Sequence, residues 1–144
     1  MEKITVDWDN RFYELSNHVA KWSKDPSTKV GAVLVGKDTR NISLGYNGFP
    51  RGIADNLSRL SNREVKYHLT QHAERNALDN AKFDTAGSTL YVTFFPCSEC
   101  AKSIVSKGVS RVVCPFPSER EPWQTDSVWT KMIFGEAGVQ LVQR

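Results

Sequence analysis

Gln71 to Cys100, QHAERNALDNAKFDTAGSTLYVTFFPCSEC, is the stretch from which both the fold and the chemistry of this chain are read. It opens with His72-Ala73-Glu74 and closes with Pro96-Cys97-Ser98-Glu99-Cys100, so one imidazole, one carboxylate and two thiols bracket it. Ala73, Ala77, Leu78 and Ala81 recur at helical spacing, which places His72 and Glu74 in the first turn of a helix. Thr89 to Phe95 is β-branched and aromatic and reads as a strand. Pro96 then opens a second helix, Cys97 to Lys107, with Ala101, Ile104 and Val105 on its apolar face and Gly108 as its stop.

The two potential metal-binding segments are therefore two helix starts. Mixed imidazole and thiolate donors suit Zn²⁺, and His72, Cys97 and Cys100 would leave a fourth tetrahedral position for water. Water held there has a pKa of about 7, and Glu74 is placed to accept and return its proton. The partial positive charge of the helix amino ends favours the thiolates of Cys97 and Cys100. Two other readings use the same residues. His68, four residues before His72, could complete a four-ligand structural zinc and make the chain a binding or scaffolding module; that site has no use for Glu74, and the close-spaced finger arrangement is absent. A redox C-x-x-C explains neither His72 nor Glu74.

Outside this stretch, Trp8, Phe12, Leu15, Val19 and Trp22 form the core stripe of a helix expected over about Asp9 to Lys24, with His18 beside the stripe as an ordinary histidine. Val30 to Val35 and Ile42 to Tyr46 flank the Gly36-Lys37-Asp38 turn and predict a hairpin. A strand at Arg111 to Cys114, a helix near Ser127 to Glu136 and a strand at Val139 to Val142 complete the order α-β-β-α-β-α-β-α-β. Strands separated by helices need crossovers, so the expectation is a mixed sheet sandwiched by helices, with the metal-binding helix starts beyond the strand ends.

The 144 residues fit one domain, 1–144, and neither half would be viable alone. No apolar run approaches about 18 residues, and Met1-Glu2-Lys3 is a polar start, so no membrane span or secretion signal is expected and the chain reads as soluble and cytoplasmic. Of three cysteines two are assigned to the metal and Cys114 is left unpaired, consistent with a reducing compartment. A net charge of +3 would help collect an anionic substrate but falls short of a nucleic-acid-binding tract.

H-x-E followed by P-C-x-x-C is the signature of zinc nucleobase deaminases, and every specified position is met here. Together with Trp22-Ser23-Lys24-Asp25-Pro26-Ser27-Thr28-Lys29-Val30-Gly31-Ala32, Gly45-Tyr46-Asn47-Gly48-Phe49-Pro50, Asn76-Ala77 after Glu74, and Leu90-Tyr91-Val92-Thr93 before Pro96, it makes the chain resemble the deoxycytidylate (dCMP) deaminases of the cytidine deaminase superfamily from about Trp8 to Val142. The resemblance implies a three-layer α/β/α sandwich with a five-stranded mixed sheet. It implies hydrolytic deamination of dCMP to dUMP and ammonia, with one catalytic Zn²⁺ per chain and Glu74 as proton shuttle. Other deaminases of the superfamily, acting on dCTP, on 5-substituted dCMP or on a base within tRNA, stay as alternatives. A homo-oligomer, dimer or hexamer, is implied as well, in the cytoplasm or, for a viral chain, the host cytoplasm.

Candidate substrate residues fall into sets. Lys24, Ser27, Thr28 and Lys29 offer cations, hydroxyls and backbone donors suited to a phosphate, or form a solvated turn; the resemblance favours the phosphate. Asn47 can hold a sugar hydroxyl, as the matching asparagine does in the superfamily, or serve turn chemistry with Gly48. Ala73 is small enough to let the ring approach. Of Phe94 and Phe95, one is expected in the core and one against the base. Related enzymes carry a tyrosine after the fourth strand; here Pro115-Phe116-Pro117 and Glu119-Arg120-Glu121-Pro122-Trp123 stand instead, leaving Phe116 or Trp123 to cover the ring. Gly48, Arg51, Arg59, Arg63 and Lys66 have the charge for a dCTP or dTTP effector, with Mg²⁺ if the triphosphate carries it, and a solvated loop accounts for them equally well.

Overall fold

The computed structural model describes residues 1–144, and its elements run α1 (Trp8–Ala20), β1 (Gly31–Val35), β2 (Ile42–Tyr46), α2 (Leu57–Leu60), α3 (Arg63–Leu69), α4 (Ala73–Asn80), β3 (Thr89–Val92), α5 (Ser98–Ser106), β4 (Arg111–Cys114), α6 (Trp123–Ala137) and β5 (Gln140–Gln143). The β1–β2 hairpin forms in the register Gly31 to Tyr46 through Val35 to Ile42. The strands build one five-stranded sheet of order β2-β1-β3-β4-β5, antiparallel at β2–β1 and β1–β3 and parallel at β3–β4 and β4–β5. Each parallel step is a helical crossover, through α5 and then α6. Two crossovers of the usual hand in one direction bring both helices to one face, where they pack on each other.

Alternation along the strands sorts the two faces. Ala32, Leu34, Leu90, Val92, Val112 and Cys114 pack with Ala77 and Leu78 of α4, Ala101 and Ile104 of α5 and Phe134 of α6. Val33, Val35, Tyr91 and Val113 point the other way, onto Phe12 of α1. β1 is buried along its whole length because it has a helix on either side. Two glycines permit this close approach: a Cβ at Gly31 would collide with the backbone of Ser16 and Ala20, and one at Gly45 with the backbone of Ala73 and Ala77. Arg111 Nη2 and Tyr91 Oη donate to the Asp9 carboxylate, each at 2.7 Å, and tie α1 to the sheet. No helix is long and apolar enough to cross a membrane.

The expected order holds with two additions. The segment of Arg51, Arg59, Arg63 and Lys66, for which a solvated loop is one reading, contains α2 and α3, whose starts are capped by the side chains of Asn56 and Asn62. α3 buries none of its residues, so it leaves no apolar stripe to read. α1 stops at Ala20 rather than Lys24, because the next residues close a turn and Ser23 Oγ donates 2.8 Å to the Asn47 carbonyl. Trp22 is consequently 48 % exposed and Trp8 56 % exposed, so the outer ends of the expected core stripe lie at the surface. α6 starts at Trp123, four residues before the expected Ser127, since Glu121 accepts from the backbone and hydroxyl of Thr125 and secures the first turn.

Candidate active site

His72 is the N-cap of α4 and Cys97 the N-cap of α5, both in extended backbone conformation, so each side chain projects from a helix mouth. Cys100 follows one turn into α5, where its backbone N–H donates to Cys97 Sγ at 3.5 Å. His72 Nδ1 lies 3.3 Å from Cys100 Sγ and 3.5 Å from Cys97 Sγ, and the three donor atoms all fall within 4.8 Å of one another. With Zn–N near 2.0–2.1 Å and Zn–S near 2.3 Å, the N to S edge of a tetrahedral site is about 3.6 Å, so the donor set fits a zinc ion. The exposed His68 does not belong to this group, nor does Glu74.

The thiols differ in their surroundings. Hydrogen bonds from Cys100 and His72 draw Cys97 down to about 4, against the opposing effect of burial. Cys100 is held far above the thiol range, chiefly by its hydrogen bond to Cys97 and by burial. A dication held by this group would favour the thiolate of both cysteines. His72 is raised, foremost by its hydrogen bond to Cys97. Glu74 is 5 % exposed, and burial lifts its carboxyl above the ordinary range while the charge of His72 offsets part of the rise. Cys114, at the end of β4, is pushed up to about 12 by burial and the nearby Glu74 charge and stays a thiol.

The start of α5 is locked from α6. Asp126 accepts from Ser98 N at 2.8 Å and Ser98 Oγ at 2.6 Å, and Thr130 Oγ1 donates 2.9 Å to the Pro96 carbonyl. These bonds satisfy groups that a helix start and its leading proline would otherwise leave open.

Beside the cluster lies a cavity of about 310 Å³, at the small end of ligand pockets. It is lined at the donor group by His72, Ala73, Glu74 and Cys97, which we call its floor, and otherwise by Asp25, Thr28, Val30, Asn47, Thr70, Phe94, Phe95, Ser118, Arg120 and Trp123, its rim. Phe95 is 5 % exposed and belongs to the core, whereas Phe94 packs edge-on against Trp123 with ring centroids 6.0 Å apart. Trp123 therefore stands at the cavity, and Phe116, 67 % exposed, does not line it.

The other proposed substrate residues divide. Asn47 is buried: its Oδ1 accepts from Val30 N at 2.8 Å and its Nδ2 donates to the Thr28 carbonyl at 2.9 Å, leaving one N–H for a ligand. Thr28 lines the cavity, but the backbone N–H groups of Ser27 and Thr28 are already taken by Asp25 Oδ1. Lys24 pairs with Asp55 at 2.9 Å and points away, and Ser27 and Lys29 are exposed outside the cavity. Among the effector candidates, Lys66 is turned inward, donating 3.0 Å to Asp25 Oδ1 and 3.0 Å to Ser27 Oγ, because a buried carboxylate in this turn needs a cation. Arg59 donates to the Ala54 carbonyl within its own loop, Arg51 and Arg63 are exposed, and Gly48 is bridged through its backbone to Gln71. Asp25, Ser118 and Arg120 are cavity residues that sequence reasoning missed; Asp25-Pro26 does announce the turn, and nothing local announces Arg120.

The model of the cytidine and deoxycytidylate deaminase zinc-binding region matches residues 6–115. An uncharacterized deaminase from Aliivibrio fischeri is 42 % identical over 136 residues, covering 93 % of this chain and 91 % of that protein. The mouse deoxycytidylate deaminase is 34 % identical over 140 residues, covering 93 % of this chain and 78 % of its own. The crystal structure of the dCMP deaminase of cyanophage S-TIM5 with dCMP and dUMP shares the fold, with a TM-score of 0.77 over 99 % of this chain and 100 % of that one at 23 % identity. The match over residues 6–115, joined to a His72-Cys97-Cys100 cluster at two helix starts, makes the chain a member of the cytidine and deoxycytidylate deaminase zinc-binding family.

Proposed function

We propose that the chain deaminates dCMP to dUMP and ammonia, with His72, Cys97 and Cys100 holding zinc and Glu74 moving the protons. One observation carries this reading: Glu74, a buried carboxylate outside the donor group, shares a cavity with that group. A structural site has no work for it. Zinc, when bound, supplies the Lewis acidity that makes hydroxide available at neutral pH.

Glu74 accepts a proton from the attacking water and passes it to ring nitrogen N3, so charge building on the ring is neutralised as the oxygen adds at C4. Glu74 then takes the remaining proton from the oxygen added at C4 and delivers it to the amine; the C4–N bond breaks, ammonia leaves and the C4 carbonyl remains, so water and cytosine become ammonia and uracil. Burial, which raises the Glu74 carboxyl, favours its holding a proton between the two transfers. Phe94 and Trp123 present apolar surface to the ring, Ala73 allows it to approach, and the remaining N–H of Asn47 is open to a sugar hydroxyl.

The same reading extends to a cytoplasmic homo-oligomer whose deoxynucleoside triphosphate effector, with or without Mg²⁺, meets the exposed Arg51 and Arg63. Ammonia release by the zinc-loaded protein from dCMP, dCTP, 5-methyl-dCMP, deoxycytidine and tRNA, with and without dCTP or dTTP as effector, tests the reading. Turnover led by dCMP supports it; turnover of tRNA alone, or of none, overturns it.

A further inference from the structure

We propose that Arg120 is the residue that recognises the substrate's 5′-phosphate, so that discrimination between nucleotide and nucleoside is set by the segment after β4 rather than by the Lys24–Lys29 turn. This rests on the nucleotide reading above and names the residue that carries it. The turn has little left to offer an anion. Lys24 is paired with Asp55, the Ser27 and Thr28 amides are bonded to Asp25, Lys66 is committed to Asp25 and Ser27, and Lys29 lies outside the cavity. Asp25 itself lines the cavity, its charge met by Lys66.

Apart from the metal-facing imidazole of His72, Arg120 is the single basic side chain lining the cavity, and it has no carboxylate partner. Its backbone is fixed on both sides: the N–H donates 3.2 Å to Ser118 Oγ, and the carbonyl accepts from Gln124 N at 3.0 Å in the first turn of α6. A planar guanidinium on an anchored backbone suits bidentate contact with a phosphate. It shares the cavity with Thr28 and with the Phe94–Trp123 aromatic pair, so a ring held by the aromatics and a phosphate held by Arg120 belong to one ligand.

The test compares zinc-loaded wild type, Arg120→Met and Arg120→Lys on dCMP and deoxycytidine, with calorimetric binding of dUMP and deoxyuridine alongside. Arg120→Met is expected to lower the ratio of kcat/KM for dCMP to that for deoxycytidine roughly 10- to 100-fold, as the loss of charge-assisted hydrogen bonds would, and Arg120→Lys to recover part of it. An unchanged ratio, or an equal loss on both substrates, overturns the assignment. Should wild type release no ammonia from either, the functional reading falls, while binding still decides this one. Weakening of dUMP by at least about tenfold relative to deoxyuridine supports the phosphate role of Arg120, and equal weakening removes it.

Discussion

The floor of the cavity and its rim are built on different principles. At the floor, His72, Cys97 and Cys100 are aimed by the caps of two helices, and the helices are held by the core and by Asp126 and Thr130 of α6. Each donor has a backbone reason for its direction. At the rim, polar side chains are mostly engaged with one another: Asp25 with Lys66 and two amides, Asn47 with Val30 and Thr28. The donors of the floor are aimed by the first residues of α4 and α5, whereas at the rim Asn47 and Lys66 find their partners 17 to 41 positions away in the chain. A rigid floor suits a metal and a proton shuttle, and a rim whose groups are already paired leaves selectivity to the few that are not.

Breaking the floor should cost most. Cys100→Ser removes the buried member of three donors, so zinc content should fall to a small fraction of one per chain and ammonia release by at least about 1,000-fold, read by metal analysis and steady-state kinetics. A zinc-replete, active Cys100→Ser would mean that the cluster is not the metal site.

The rim should respond in KM rather than in metal content. Lys66→Met leaves the Asp25 carboxylate at the cavity wall without its cation, and a roughly tenfold rise in KM for dCMP with zinc retained is expected. Loss of zinc in this variant would erase the distinction between the regions.

The smallest effect on activity belongs to a pair on the far face of the sheet. The Arg111 hydrogen bond, with that of Tyr91, holds the Asp9 carboxyl below its ordinary range despite partial burial. Such a group adds stability that is fully present above its unfolded value, about 4, and is lost as pH falls through the lower folded value. Asp9→Asn should therefore lower Tm by about 2–4 °C near neutral pH, the shift expected for about 1 kcal/mol in a chain of this size. The gap to wild type should close as pH falls below about 4, with turnover at neutral pH little changed. A gap that persists in acid would assign it to packing instead of charge.

The same division explains what was legible in the sequence. His72, Glu74, Cys97 and Cys100 stand beside an alanine-rich helix start and a Pro-Cys helix start, both local signals, and the hairpin and crossovers follow from alternation and helical spacing. Helices α2 and α3 were illegible because asparagine caps and polar residues build them without an apolar face. Lys66 reads as a solvated cation until tertiary structure brings α3 against the turn at Asp25, 41 positions earlier. Phe116 and Trp123 are alike in sequence as aromatic candidates; only the early start of α6 at Trp123 separates them.

Glu74→Gln tests the central claim most directly, because it keeps size and burial while removing the proton acceptor. The variant should retain one zinc per chain and lose ammonia release from dCMP by roughly 100- to 10,000-fold, the range of a general acid–base group. Loss of the metal, or turnover close to wild type, would contradict a carboxylate that works beside the metal centre without belonging to it.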